Sequence, residues 1–128
     1  MINKIKKLWK TEEMEFSDNP LNSNGEFLLK YHKVIIGILK YSDGLWSFKY
    51  TDDFKGMKIK PITDFPDTEK EYTSEQLWPF FAARIPALNQ PYIYKRINKA
   101  NINKNDSVEL LKLFGQKTIT NPVILNPV

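Results

Sequence analysis

VIIGILKYSDGLWSFKY, residues 34–50, places two runs of β-branched and aromatic residues on either side of an Asp-Gly pair. Asp-Gly between alternating apolar runs marks a β-hairpin with a two-residue loop, in which Gly44 supplies the positive φ that other side chains resist. With Asp43 and Gly44 as the loop, Ser42 faces Leu45, Tyr41 faces Trp46, Leu39 faces Phe48 and Gly37 faces Tyr50. Side chains alternate across a strand, so Ile35, Leu39, Tyr41, Trp46, Phe48 and Tyr50 share one face, with Gly37 leaving room for Tyr50. That face is the expected core side. The other carries Lys40, Ser47 and Lys49 to water, beside an apolar patch of Val34, Ile36 and Ile38 that needs cover.

Reading outward, EFLLKY at 26–31 is a strand that His32 and Lys33 connect tightly to the hairpin, giving three antiparallel strands. TDDFKG turns the chain at Gly56, MKIKPI at 57–62 alternates like a short edge strand ended by Pro61, and 63–72 is an acidic, proline-containing loop. Helical spacing takes over at 73. Thr73 with Gln76 fits a capping box, and Pro79 either starts the helix at its first position or kinks one begun earlier. Leu77, Phe80, Phe81 and Ile85 line one side of it, with Trp78 off the stripe, and it should end before Pro86. A second helix is expected from Pro91 to about Ala100, with Tyr92, Ile93 and Ile97 set against Tyr94, Lys95, Arg96 and Lys99. A third follows Asp106 as N-cap, with Glu109 at the third position, an apolar run from Val108 to Phe114 and Gly115 beyond its end. Residues 116–128 form a tail with two Asn-Pro turns and room for one short strand. At the other end, 1–25 read as an arm and loop, with Ile2, Ile5, Leu8 and Trp9 at helical spacing among four lysines. The expectation is one α+β domain over 1–128, a small curled antiparallel sheet packed against two or three helices drawn from 73–115.

At 128 residues, 41% apolar and 13% aromatic, the chain can build a core without staples, and having no cysteine it has neither disulfide nor thiolate metal site. No run approaches the roughly eighteen apolar residues of a spanning helix, so a soluble cytoplasmic protein is expected. The net charge of +4 is uneven: the N-terminal arm and residues 73–128 are basic and the middle is acidic. Such asymmetry admits a nucleic-acid or acidic-protein partner as well as an ordinary solvated surface.

Most enzyme classes are excluded residue by residue. His32 is the only histidine and sits in a strand connection, five scattered glycines make no phosphate-binding loop, and kinase catalytic motifs are missing. Asp52, Asp53, Asp64, Asp67, Glu69 and Glu71 match no calcium-loop spacing, and an acidic solvent loop accounts for them. No catalytic, cofactor or metal residue is therefore assigned, although an enzyme with a carboxylate site is kept as a third reading. Two stretches stand out. YIYKRINKANINK, 92–104, interleaves aromatics with Lys95, Arg96, Lys99 and Lys104, as nucleic-acid binders do. LWPFFAARIPAL, 77–88, holds more aromatic surface than one helix face buries, so Trp78 is either an exposed anchor for a partner or a lid on its own core.

Taken in order, FLLKYHKVIIGILKYSDGLWSFKYTDDF, KPITDFP and EYTSEQLWPFFAARIP resemble the N-terminal domain of HipA-type serine/threonine kinases. The matches are Ile36, Gly37 and Leu39, then Phe48 and Tyr50, then Tyr72, Ser74, Leu77, Pro79, Phe80 and Phe81, and LLKLFGQKTI looks like the Leu-rich helix and Gly that precede the kinase core. AARIPAL departs from the family's Leu-Leu-Pro-Glu-Gly segment by lacking the Glu-Gly pair. No catalytic residue of the family lies within the matched stretch. The resemblance implies a free-standing copy of this domain, like the small third protein of split HipA toxin-antitoxin systems, binding and restraining or completing a HipA-like kinase, with a helix-turn-helix protein as a further partner. The alternative reading is a nucleic-acid-binding module using the basic flanks, though direct nucleic-acid binding is not what the resemblance implies, and no membrane partner is expected. Trp78, Phe80, Arg84, Lys95 and Arg96 are the candidate partner-binding residues, the aromatics as anchors and the cations as steering charges.

Overall fold

The computed structural model describes residues 23–128, so the lysine-rich arm lies outside the described residues. Strands β1 (Gly25–Tyr31), β2 (Val34–Ser42) and β3 (Leu45–Tyr50) follow one another as antiparallel neighbours. Asp43 and Gly44 have φ of 53° and 83°, His32 and Lys33 of 49° and 70°. Both connections are thus two-residue turns with left-handed backbone at both positions, the form whose twist matches that of the flanking strands. The hairpin register is the expected one, pairing Gly37 with Tyr50, Leu39 with Phe48, Tyr41 with Trp46 and Ser42 with Leu45.

Two details of the hairpin differ from expectation. Between β1 and β2 the register shifts, so that Leu29 pairs with Gly37 and Lys30 with Ile35, leaving Ile36 as an extra residue. The bulge reverses the alternation: Ile36 is buried in the core while Ile35 is only half-buried. The carbonyls freed there are taken up by Thr51, whose N–H donates to Ile36 O at 3.0 Å and whose hydroxyl donates to Ile35 O. Gly37, in turn, makes room for Phe48 rather than Tyr50, because a Cβ there would lie 2.5 Å from Phe48 Cζ.

After β3 the chain leaves the sheet. Thr51 accepts the Phe54 N–H and caps a one-turn helix, α1 (Asp52–Lys55), closed at Gly56. Residues 57–62, expected as an edge strand, form none; the edge is β4 (Tyr72–Ser74), paired to β3. Thr73 and Ser74 are therefore strand residues, and the Thr73–Gln76 capping box does not form; Gln76 N–H donates to Ser74 Oγ instead. The helix beyond it, α2 (Pro79–Ala82), starts with Pro79 at its first position and lasts one turn. Helix α3 (Pro91–Ala100) also opens on proline and ends at Asn101 with φ of 56°. Helix α4 (Ser107–Phe114) opens on Asp106, which accepts the N–H groups of Val108 and Glu109. Finally β5 (Ile124–Pro127) returns to pair antiparallel with β1, completing an open five-stranded sheet in the order β4-β3-β2-β1-β5.

The core is in two parts. Phe27, Leu29, Leu39, Tyr41, Trp46, Phe48 and Leu125 of the sheet pack with Phe65, with Phe81 of α2 and with Val108 and Leu111 of α4. A smaller cluster joins Ile93 and Ile97 of α3 to Leu110 of α4. Within α4 the two leucines divide, Leu110 turning to α3 and Leu111 packing against the sheet. Tyr92, expected on the buried stripe of its helix, is 67% exposed.

Candidate partner-docking surface

Trp78 is the N-cap of α2 but has no side-chain cap to offer. The orphan N–H of Phe80 is satisfied from across the loop by Asp64, whose Oδ2 accepts it at 2.9 Å. This bond ties 61–64 alongside 79–80. Between them lies an open depression of about 430 Å³ lined by Pro61, Ile62, Thr63, Asp64, Pro79 and Phe80. Lys60 and Pro66 continue the same shelf on its far side. Prolines and a phenylalanine that water can reach have little rotamer entropy to lose when a partner covers them.

Trp78 is half-buried, and its ring stands edge-on to Phe65 with centroids 4.9 Å apart. Phe65 in turn stacks on Phe48 at 4.3 Å. Trp78 is therefore attached to the hairpin core through one intermediate ring while part of its surface stays open: it is lid and accessible surface together. Phe80, also half-buried, meets Phe81 edge-on at 5.1 Å.

Arg84 is not a surface cation. It is 5% exposed, and its guanidinium lies over the Phe80 ring at 5.6 Å. Nη1 donates to the carbonyls of Gly115 and Gln116 at 2.9 and 3.3 Å, and Nη2 to Val123 O and Asn121 Oδ1 at 3.0 and 3.3 Å. Burial pulls its pKa below the usual arginine value, and carbonyl dipoles rather than a carboxylate balance the charge. A residue so engaged cannot steer a partner, which corrects the role expected for it; it fastens the C-terminal tail to α2. One signal pointed there: Arg84 is the single charged residue between Gln76 and Tyr94.

Lys95 and Arg96 stand exposed on α3, which packs with the second cluster, whereas Trp78 and Phe80 pack with the first. Of the five candidate residues the structure thus sets Phe80 in the shelf, holds Trp78, the residue before Pro79, half-buried against Phe65, buries Arg84 and places Lys95 and Arg96 on another element. Carboxylates of the acidic loop have structural partners: Asp64 serves α2, Asp67 Oδ1 accepts the Glu69 N–H, and Glu69 pairs with Lys55 at 3.1 Å. His32 is an exposed turn residue. Among the described residues no three His, Cys, Asp or Glu side chains are grouped to hold a metal ion, and no helix is long and apolar enough to cross a membrane.

No curated protein matches the chain. A family model described as the HipA N-terminal domain matches residues 28–120, from the first strand through the end of α4 and into the tail.

Proposed function

The chain belongs to the HipA N-terminal domain family, and from that premise we propose that it is a non-catalytic regulator that binds a HipA-like serine/threonine kinase and restrains or completes it, within a toxin-antitoxin system. The family's domain is the part of the kinase that carries no catalysis, which accords with the lack of an assignable catalytic residue in the sequence. The observation that carries the reading is the shelf of Pro61, Ile62, Pro79 and Phe80 beside Trp78. A domain type that works against a kinase body needs an apolar contact surface, and contiguous accessible apolar groups on a small protein mark such surfaces. Trp78 is its anchor, since a large ring held against its own core is presented with little freedom to lose on binding.

Titrating the protein with a HipA-like kinase that lacks this domain, by calorimetry, tests the proposal. Trp78→Ala and Phe80→Ala are each expected to weaken the complex by about 2 kcal/mol or more, some thirtyfold in Kd. Because Trp78 also packs on Phe65, its truncation lowers the melting temperature as well, so binding is compared at a temperature where both proteins are folded. Raising salt should change the affinity little, since the contact is mostly apolar. Absence of a complex, or variants that bind as tightly as the parent, would overturn the proposal.

A further inference from the structure

From Gln76 to Asn105 the chain has five cations, Arg84, Lys95, Arg96, Lys99 and Lys104, and no carboxylate. With Arg84 buried, the other four are exposed on α3 and just beyond it. The two nearest carboxylates in sequence on the far side do not neutralise them. Asp106 is buried, where it accepts from Ser23 and caps α4, and Glu109 pairs with Lys112 at 3.1 Å. No ion pair among the described residues includes Lys95, Arg96, Lys99 or Lys104. An ordinary solvated helix interleaves both signs and keeps its large rings down. Here the buried stripe is Ile93 and Ile97 alone, while Tyr92 and Tyr94 are 67% and 53% exposed. Tyr92, Lys95 and Lys99 fall at i, i+3 and i+7 and so share the face opposite that stripe, with Arg96 one turn from Tyr92. Arg96 also lies over the Phe114 ring at 4.9 Å, which holds its charge at the helix flank.

We infer that the solvent face of α3 binds single-stranded nucleic acid, Lys95, Arg96, Lys99 and Lys104 contacting phosphates and Tyr92, on the same face as Lys95 and Lys99, stacking on a base. Positive charge that no carboxylate among the described residues pairs fits a polyanion. The exposed rings favour a nucleic acid over an acidic protein surface, since every base offers a face to stack on, and favour a single strand over a duplex, whose bases already stack on one another. The surface is separate from the Trp78 shelf and does not depend on kinase binding.

Fluorescence anisotropy of labelled twenty-nucleotide DNA and RNA strands of mixed sequence, with the duplex of the same sequence and polyglutamate as competitors, tests it on the full chain. Binding is expected to weaken with salt with a log–log slope near −3, as about four phosphate contacts on a single strand give. Lys95→Glu with Lys99→Glu should weaken it at least tenfold, and the milder Lys95→Gln with Lys99→Gln should lower the slope by about one to two. Tyr92→Ala should weaken binding several-fold and leave the slope unchanged. Circular dichroism confirms that each variant is folded, and the glutamine pair serves if the glutamate pair is not. No binding at low salt, indifference to both lysine pairs, or displacement by the duplex or polyglutamate as effective as by the unlabelled strand would overturn the inference.

Discussion

Tyr50 shows how a single polar group is settled inside this core. Its ring stacks on Phe54 at 4.4 Å, and its hydroxyl donates to Phe65 O at 2.7 Å while accepting the Ile62 N–H at 2.9 Å. One phenol thus completes two backbone groups of the segment that wraps the sheet after α1. Burial pushes its pKa up from 10.0 to about 12, since the anion would lose its solvation and its donor bond. The folded state therefore holds this proton more tightly than the unfolded chain does. The contribution is whole below pH 10 and is lost as pH rises from 10 to 12, an amount of about 2 to 3 kcal/mol over those two units. Denaturant midpoints measured across that range should fall more steeply for the parent than for Tyr50→Phe. At neutral pH the variant should be less stable by about 1 to 3 kcal/mol, because Phe65 O and Ile62 N–H lose their partner. Equal slopes for the two proteins above pH 10 would show that the phenol is not protected.

Among the elements, the hairpin and helices α3 and α4 were the readable ones. Asp43-Gly44 and the alternation around it determine the register of β2 and β3, and Asp106 with Gly115 bounds α4, because in each case the deciding contacts lie within a few residues. What sequence could not show depends on distant groups. The bulge at Ile36 exists because Thr51 collects the carbonyls of Ile35 and Ile36. The 57–62 segment alternates like a strand but lies beyond a capped helical turn that carries it off the sheet. Of the candidate residues, Trp78 and Phe80 were singled out by excess apolar surface, and both keep part of that surface accessible. Arg84 was misread, since its acceptors lie more than thirty positions along the chain. The division into two clusters carries its own expectation. Amide exchange should be slowest in β2 and β3, whose inward side chains are buried, and faster in α3, which buries only Ile93 and Ile97. If residues 34–50 exchanged as fast as α3, the hairpin would not be the centre of the fold.

At the level of the whole molecule, the last strand is held twice, by its ladder to β1 and by the Arg84 fork. Leu125 is 1% exposed, and its N–H donates to Gln116 O at 2.9 Å. The tail therefore completes the core rather than decorating it. Arg84→Lys keeps the charge but replaces a planar five-donor fork with a compact ammonium that cannot reach the same carbonyls. The variant should lose about 2 to 3 kcal/mol, and protection should fall first at the amides of β5. An unchanged melting temperature would show that the fork is dispensable.

The same pairing of β1 with β5 sets how the fold meets mechanical load. Phe27 lies opposite Pro127, and Val128 N–H donates to Glu26 O at 2.9 Å, so both ends of the sheet's outer pair lie at one corner. Tension between residues 24 and 128 acts across these strands at that corner, not along them. The bonds then carry load one after another, as in a zipper, instead of sharing it as strands sheared lengthwise do. A chain stable against heat and denaturant can thus be opened by a weak, steady pull at one corner, beginning with the strand that Arg84 fastens.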